Sequence, residues 1–338
     1  MMPAVPPPEQ RHSPLAQRVF DQLLAIRPTG MLSRLALKIL SGIRRWLVAR
    51  GDPLVRFQMD GATLLAPLSH QLAFIRRDVP QYAGCLARIA IAVQRKYPDL
   101  TAVDVGANIG DTVVLLRAHA QFPILCIEGS GEFFPLLEHN TAGLADVERE
   151  LCLLADGRAF AGSLTTHHGT GQLVARPGAA ETVPTRTIQQ VLEPRPRFRQ
   201  TKLLKVDTDG FDIAILQAAL PWLAEARPVV FFEYDPHLFR AHGVDGLALL
   251  RALAAIGYEL ALVFQNNGDF LMSAPLADDA LWLDLDQFYS GRSSEVYGDV
   301  CVFHREDRAL HDSVRAGERE FFRRFRAQGA GEPGRDAA

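Results

Sequence analysis

The chain reads as an α/β protein built on a doubly wound, mainly parallel sheet. Two observations carry that reading. From residue 100 onward short apolar runs alternate with helix-periodic segments, the pattern of βα units covered by helices on both faces. Polar clusters follow the apolar runs directly, at the places where such sheets bind ligands. Of the 338 residues, 48% are hydrophobic and 22% charged, which excludes a mainly disordered chain.

The first 15 residues are proline-rich, have no apolar signal-like stretch and read as disordered, as do residues 327–338. Residues 31–50 hold Arg34, Lys38, Ser41 and Arg45 on one side and Leu32, Leu35, Ile39, Ile43, Trp46 and Leu47 on the other. This is a basic amphipathic helix, either packed on the main domain or resting on an anionic membrane. Residues 1–60 carry nine Lys/Arg and four Asp/Glu, although the whole chain has a net charge of −3. That overall balance does not favour a nucleic-acid partner.

Val55, Phe57 and Met59 alternate, and Asp60-Gly61 supplies a two-residue turn into a second apolar run, which predicts a β-hairpin. Residues 70–97 have helical spacing. Strands follow at 100–105, 123–128, 148–155, 202–207 and 227–234, with helices at 110–120, 132–140, 211–220 and 246–257, and late strands in YELALVFQ and GDVCVFH. The expected organisation is a disordered start (1–15), an N-terminal extension (16–98), the α/β domain (99–310) and a C-terminal helix and tail (311–338).

Cys85, Cys126, Cys152 and Cys301 are widely spaced with no CxxC, which argues against zinc or a disulfide framework and fits a reducing cytosol. No apolar run approaches the ~18 residues of a membrane span. The expected location is cytoplasmic, with peripheral contact at the inner membrane face if residues 31–50 rest on lipid.

The first loop, VDVGANIGD, places Gly106 and Gly110 before a helix N-terminus, where backbone N–H groups approach a ligand. Glu128 ends the next strand 22 residues after Gly106, where a carboxylate accepts ribose hydroxyls. Asp104 and Asp111 flank the loop, and two carboxylates repel a pyrophosphate. An acidic loop suits S-adenosylmethionine (AdoMet), which carries an ammonium and a sulfonium, better than a nicotinamide dinucleotide.

VDVGANIGDT (103–112), CIEGS (126–130), the EHN ending at Asn140, LLKVDTDGFDIAIL (203–216) and PVVFFEYDP (228–236) resemble FkbM-type AdoMet-dependent methyltransferases. The resemblance covers roughly residues 100–270. Two departures are Asp209 where the family has Glu and Gly129 where it more often has Pro. The resemblance implies a class I methyltransferase (Rossmann-like) sheet of seven strands, the last antiparallel, and O-methylation of a saccharide, glycolipid or related metabolite. It implies that Gly106, Asn108 and Gly110, with Asp104, Asp111 and Thr112 in the same motif, shape the methionine site. Glu128 and Ser130 then serve the ribose, Asp156 the adenine amino group, and Ser163 the place of a family serine after the third strand.

Transfer to a hydroxyl needs a base. Asp207, which also serves to position donor or acceptor, Asp209, Glu233 and His237 stand at or after strand ends, and none is singled out. Lys205 is expected to pair with an acid, Asp212 to begin a helix, and His167-His168 to be a solvated loop rather than a metal site. Trp282, Tyr289 and Tyr297 are candidate acceptor-pocket aromatics, and SGRSSE (290–295) a mobile loop or lid. Alternatives are a nicotinamide-dependent dehydrogenase and a non-catalytic, membrane-recruited protein of the same fold. Oligomeric state is not legible.

Overall fold

The computed structural model describes residues 11–158, 160–167, 170–175, 182–208, 210–291 and 296–329. The extension comprises α1 (Pro14–Ala25), α2 (Met31–Val48), β1 (Leu54–Met59), β2 (Ala62–Pro67), α3 (Leu72–Asp78) and α4 (Gly84–Lys96). Helix α1 starts within the segment whose composition suggested disorder, because Ser13 accepts a bond from the Ala16 N–H and Pro14 occupies the first turn. The hairpin β1–β2 pairs Met59 with Ala62, and Asp60 and Gly61 both adopt positive φ, as its tight turn requires.

The α/β domain begins with β3 (Ala102–Val105), α5 (Asp111–Arg117), β4 (Ile124–Glu128), α6 (Phe134–Thr141) and β5 (Val147–Leu151). An insert follows, with β6 (Leu153–Leu154), β7 (Phe160–His167), β8 (Thr170–Ala175), β9 (Thr182–Val183), β10 (Thr185–Arg186) and α7 (Ile188–Leu192). The chain returns to the sheet through β11 (Leu203–Val206), α8 (Asp212–Ala226), β12 (Val229–Tyr234), α9 (Pro236–His242) and α10 (Gly246–Ala255). It ends with β13 (Tyr258–Gln265), β14 (Phe270–Pro275), α11 (Asp279–Ser290), β15 (Gly298–His304) and α12 (Arg308–Gly329).

The main sheet has the order β14-β13-β15-β12-β11-β3-β4-β5. Strands β5, β4, β3, β11 and β12 are parallel, and β15 runs antiparallel between β12 and β13. This is the expected Rossmann-like arrangement with an antiparallel final strand, enlarged from seven strands to eight by the edge strand β14. The turn that creates β14 was present in the sequence as Asn267-Gly268 between two apolar runs. Gly268 adopts positive φ there.

The sheet is covered on both sides. Val103, Val105, Leu204, Val206 and Phe232 point into a core shared with α8 and α10. Ala102, Ile124, Leu203, Val229 and Phe231 point into another, shared with α4 and α12. Arg88 of α4 makes two bonds of 2.7 Å to Glu318 of α12, tying those helices together. Helix α8 runs past Pro221 to Ala226, beyond the helix expected at 211–220. Its last turn buries Trp222, Leu223 and Ala226, and that burial outweighs one missing backbone bond.

The extension packs its own core (Phe20, Leu54, Leu64) against Ile109, Leu115 and Leu136 of the α/β domain. Asn140 is a further polar tie between the two. Its amide exchanges bonds with both backbone groups of Leu65 (2.8 and 2.9 Å) and donates to Ile109 O at 2.8 Å. Asn140→Ala is therefore expected to lower folding stability by about 1–3 kcal/mol, measured by urea denaturation.

Candidate functional site

Strand order reverses between β3 and β11, which opens a crevice beyond their carboxyl ends. The loop after β3 turns sharply. Gly106 has φ +76°, and a Cβ there would meet Asp207 O at 1.8 Å, so no other residue fits without moving the backbone. Gly110 has φ +88°, and a Cβ there would meet Thr141 Cγ2 at 2.8 Å and Leu137 Cδ1 at 3.1 Å. Asn108 adopts φ +46°, and its N–H donates to Glu128 Oε2 at 2.7 Å.

Beneath this loop lies an ion cluster. Lys205 Nζ stands 3.1 Å from Asp104 Oδ1, 3.4 Å from Asp207 Oδ2 and 3.3 Å from Gly106 O. Burial works against the Lys205 ammonium, yet Asp104, Asp207 and Asp111 together raise its pKa, so it stays charged. Burial raises the Asp104 and Asp111 carboxyls, and Lys205 opposes the shift in both. Asp104 therefore faces an ammonium inside the protein and does not present a bare charge to ligand. The repulsion expected between Asp104 and a pyrophosphate is removed by that pairing. Of the acids around Lys205, Asp111 and Asp207 line the cleft.

Two chambers meet at Gly106, Asn108 and Asp207. The first, about 570 Å³, is lined by Glu128 and Ser130 together with apolar Ile127, Leu153, Leu154 and Phe211. Glu128 Oε1 accepts the Ser130 N–H and Oε2 the Asn108 N–H, both at 2.7 Å. Each oxygen retains a second acceptor site. Burial is the main cause raising the Glu128 pKa, and those two amides counter it. A Cβ on residue 129 would lie 2.2 Å from Leu153 Cδ2, so Gly129 yields the space that Leu153 fills.

The second chamber, about 1130 Å³, is lined by Asp111, Thr112, Glu233, Tyr297 and Asp299 on the α/β side and by His70 and Tyr82 from the extension. Glu233 and Asp299 pair across β12 and β15. Burial, reinforced by Asp207, holds the Asp299 carboxyl well above the usual range. Burial pushes His70 down to about 4, so it is neutral near pH 7, and its Nδ1 accepts the Leu72 N–H at 3.3 Å. Burial raises the Tyr82 and Tyr297 phenols, keeping both as hydrogen-bond donors.

A family model for the methyltransferase FkbM domain matches residues 104–260, the span that supplies both chambers' loops from Asp104 to Glu233. Over that span the chain is similar to FkbM methyltransferase domains. Among solved structures, the FkbM methyltransferase of Methylobacillus flagellatus KT is similar at 16% identity and a TM-score of 0.35, over 48% of this chain and 39% of that one. The chain thus spans well under half of that protein's length. A precorrin-6y C5,15-methyltransferase from Geobacter metallireducens GS-15 is similar at 9% identity over 64% of this chain and 87% of its own, with a TM-score of 0.34. A geranyl diphosphate methyltransferase, solved in complex with SAM, is similar at 11% identity and a TM-score of 0.34, over 65% and 84%. No curated protein matches the chain.

Within the matched span, Asp207 and Glu233 line the second chamber, but His237 does not. It is exposed on α9, its N–H bound to Asp235 Oδ1 at 2.9 Å, because the chain turns away from the cleft at Pro236. Asp156 is exposed as well and lines neither chamber. The segment expected as one strand at 148–155 is two, β5 ending at Leu151 and β6 pairing with β10, so Cys152–Leu154 reach the cleft instead. Ser163 falls on β7, in the insert rather than the main sheet, and its side chain, like those of His167 and His168, lies outside the described residues. Asp209 and residues 292–295 are also outside them. Trp282 and Tyr289 are core residues, while Tyr297 lines the second chamber. Sequence reasoning missed His70, Tyr82, Asn266 and Asp299. The two from the extension follow no motif, and Asp299 hides in an apolar strand.

Asp212 begins α8 as expected and binds Thr208 through its N–H (3.3 Å) and hydroxyl (3.0 Å). Burial first, then Asp207, raises its pKa from about 3.8 to about 6. The folded state therefore keeps a proton that the unfolded chain has released across that window, and stability falls as pH rises through it. Asp212→Asn keeps an acceptor for Thr208 and is expected to flatten that slope and raise the urea midpoint at pH 7.5. Lys205→Met strands Asp104 and is expected to cost about 3–5 kcal/mol, largely recovered in Lys205→Met/Asp104→Leu, by the same measurement.

Proposed function

We propose that this chain is an AdoMet-dependent O-methyltransferase acting on a polyhydroxylated acceptor of the saccharide or glycolipid class. One observation carries the reading: a chamber lined by Glu128 and Ser130 and a larger one lined by Asp111, Tyr82, Tyr297 and Glu233 meet at Gly106, Asn108 and Asp207. A donor and an acceptor held in separate chambers with one point of contact are placed for in-line displacement.

The residues present fit AdoMet. Glu128 has an acceptor site left on each oxygen for ribose hydroxyls, and Ile127, Leu154 and Phe211 offer an apolar slot for a purine. The Gly106 turn leaves the backbone open to close approach, while Asp111 and Asp207 present negative charge toward an ammonium. When bound, AdoMet supplies an activated methyl group on a sulfonium. The protein's task is then to orient the acceptor oxygen and take its proton.

Glu233 is the proposed base. It is buried at the end of β12, lines the acceptor chamber, and lies across from Asp299, whose raised pKa keeps a proton available for hydrogen bonding to substrate. Tyr82, Tyr297 and neutral His70 add donors suited to sugar hydroxyls. Those donors, and the chamber's capacity, support the saccharide-like acceptor over a small apolar one.

Calorimetry with AdoMet and S-adenosylhomocysteine is expected to give micromolar binding. Glu128→Ala is expected to weaken it by about 1.5–3 kcal/mol for each charge-assisted bond lost. Unchanged affinity in that variant would remove the ribose assignment. With methyl-labelled AdoMet and fractionated glycans and lipids, Glu233→Gln is expected to lower kcat by about 10²–10⁴-fold with the AdoMet Kd unchanged. Label confined to protein would sink the acceptor class.

A further inference from the structure

Helix α2 leaves a large apolar surface uncovered. It packs on the extension's core through Leu37, Leu40, Ile43, Leu47 and Val48. A second stripe faces outward, with Met31 84% exposed, Leu32 80%, Leu35 54%, Ile39 56% and Trp46 52%. At ~100° per residue these five fall in one sector, and Arg34, Lys38 and Arg45 form a strip along its edge. Those three basic residues are exposed. Residues 22–51 contain six Lys/Arg and no Asp or Glu.

We infer that α2 is an interfacial helix that seats this chain on an anionic lipid bilayer. Exposed apolar side chains beside an unbroken basic strip match the two layers of such a surface, acyl chains below and phosphates above. The long Arg and Lys stems allow the charges to stay at headgroup level while the stripe enters. A nucleic acid would use the charge but leave the apolar stripe in water. A two-fold contact between copies would cover the stripe but set this acid-free basic strip against its own copy.

The helix does not cross the membrane: among the described residues no helix is long and apolar enough to do so. It is nonetheless connected to the cleft. Arg44, on the packed side, donates to Leu68 O at 3.0 Å and Ser69 O at 2.9 Å, directly before His70 of the second chamber. The inference stands on α2 itself and does not depend on the methyl-transfer reading.

Trp46 makes the test direct, because Trp222 and Trp282, the other two tryptophans, are buried. The full chain is mixed with phosphatidylcholine vesicles, with and without about 30% phosphatidylglycerol, and scored by co-flotation and tryptophan emission. Flotation with the anionic vesicles and a blue shift that disappears in Trp46→Phe are expected. Arg34→Glu/Lys38→Glu/Arg45→Glu and, separately, Leu35→Ser/Ile39→Ser are each expected to reduce binding about tenfold or more. All five positions are exposed or at the surface, and circular dichroism checks that the variants remain folded. Absence of flotation, or flotation equal in wild type and both variants, overturns the inference. So does a concentration-dependent dimer that Leu35→Ser/Ile39→Ser abolishes, which would assign the stripe to a second copy.

Discussion

The ammonium of Lys205 is the constraint from which the cleft is built. It sits on β11, in register with Asp104 on β3, so the ion pair bridges the two strands on either side of the reversal in strand order. The same ammonium reaches Gly106 O and Asp207, the two backbone turns that leave those strands. A buried charge pair is weak evidence of stability in itself, because desolvation costs several kcal/mol per ion (about). Here its geometric consequence is clear: it fixes the distance between the two loops that meet at the cleft. Gly106 completes the arrangement by allowing its backbone to come against Asp207 O, where a side chain would block it.

The extension is part of this architecture. Asn140 pairs with the edge strand β2 and at the same time with Ile109 in the loop after β3, so the hairpin is fastened to the turn that contains Asn108. The segment following the hairpin then brings His70 and Tyr82 over the larger chamber. The first hundred residues therefore supply one wall of the larger chamber while the α/β domain supplies the floor. Its lining residues His70, Tyr82 and Asp299 lie outside residues 104–260, the span that the family model matches.

The sheet was legible because its strands are buried on both faces and write continuous apolar runs with turns at their ends. The Gly106, Glu128, Asp207 and Glu233 positions were legible for the same reason: each lies at a strand's carboxyl end, a place that local pattern identifies. The pattern failed where two local rules compete. The segment 148–155 reads as one strand, but β5 ends at Leu151 and β6 joins β10, and Asp156 is displaced from the cleft. Asp299 was hidden because an antiparallel strand inserted last in the sequence brings its amino end, not its carboxyl end, to the crevice. His70 and Tyr82 depend on long-range packing of the extension, and no spacing rule within their own segment reports that.

The pairing of Glu233 with Asp299 follows from that same strand reversal and has a chemical consequence. Parallel strands deliver only their carboxyl ends to a cleft. Inserting β15 in the opposite sense places its second residue opposite the fifth residue of β12, and two carboxyls then share one wall. Burial, reinforced by Asp207, holds the Asp299 carboxyl above the usual range, so that it serves as a hydrogen-bond donor. That state is set by the environment rather than by residue type. The antiparallel strand, a structural feature of the sheet, is thus what brings Asp299 beside Glu233 in the larger chamber.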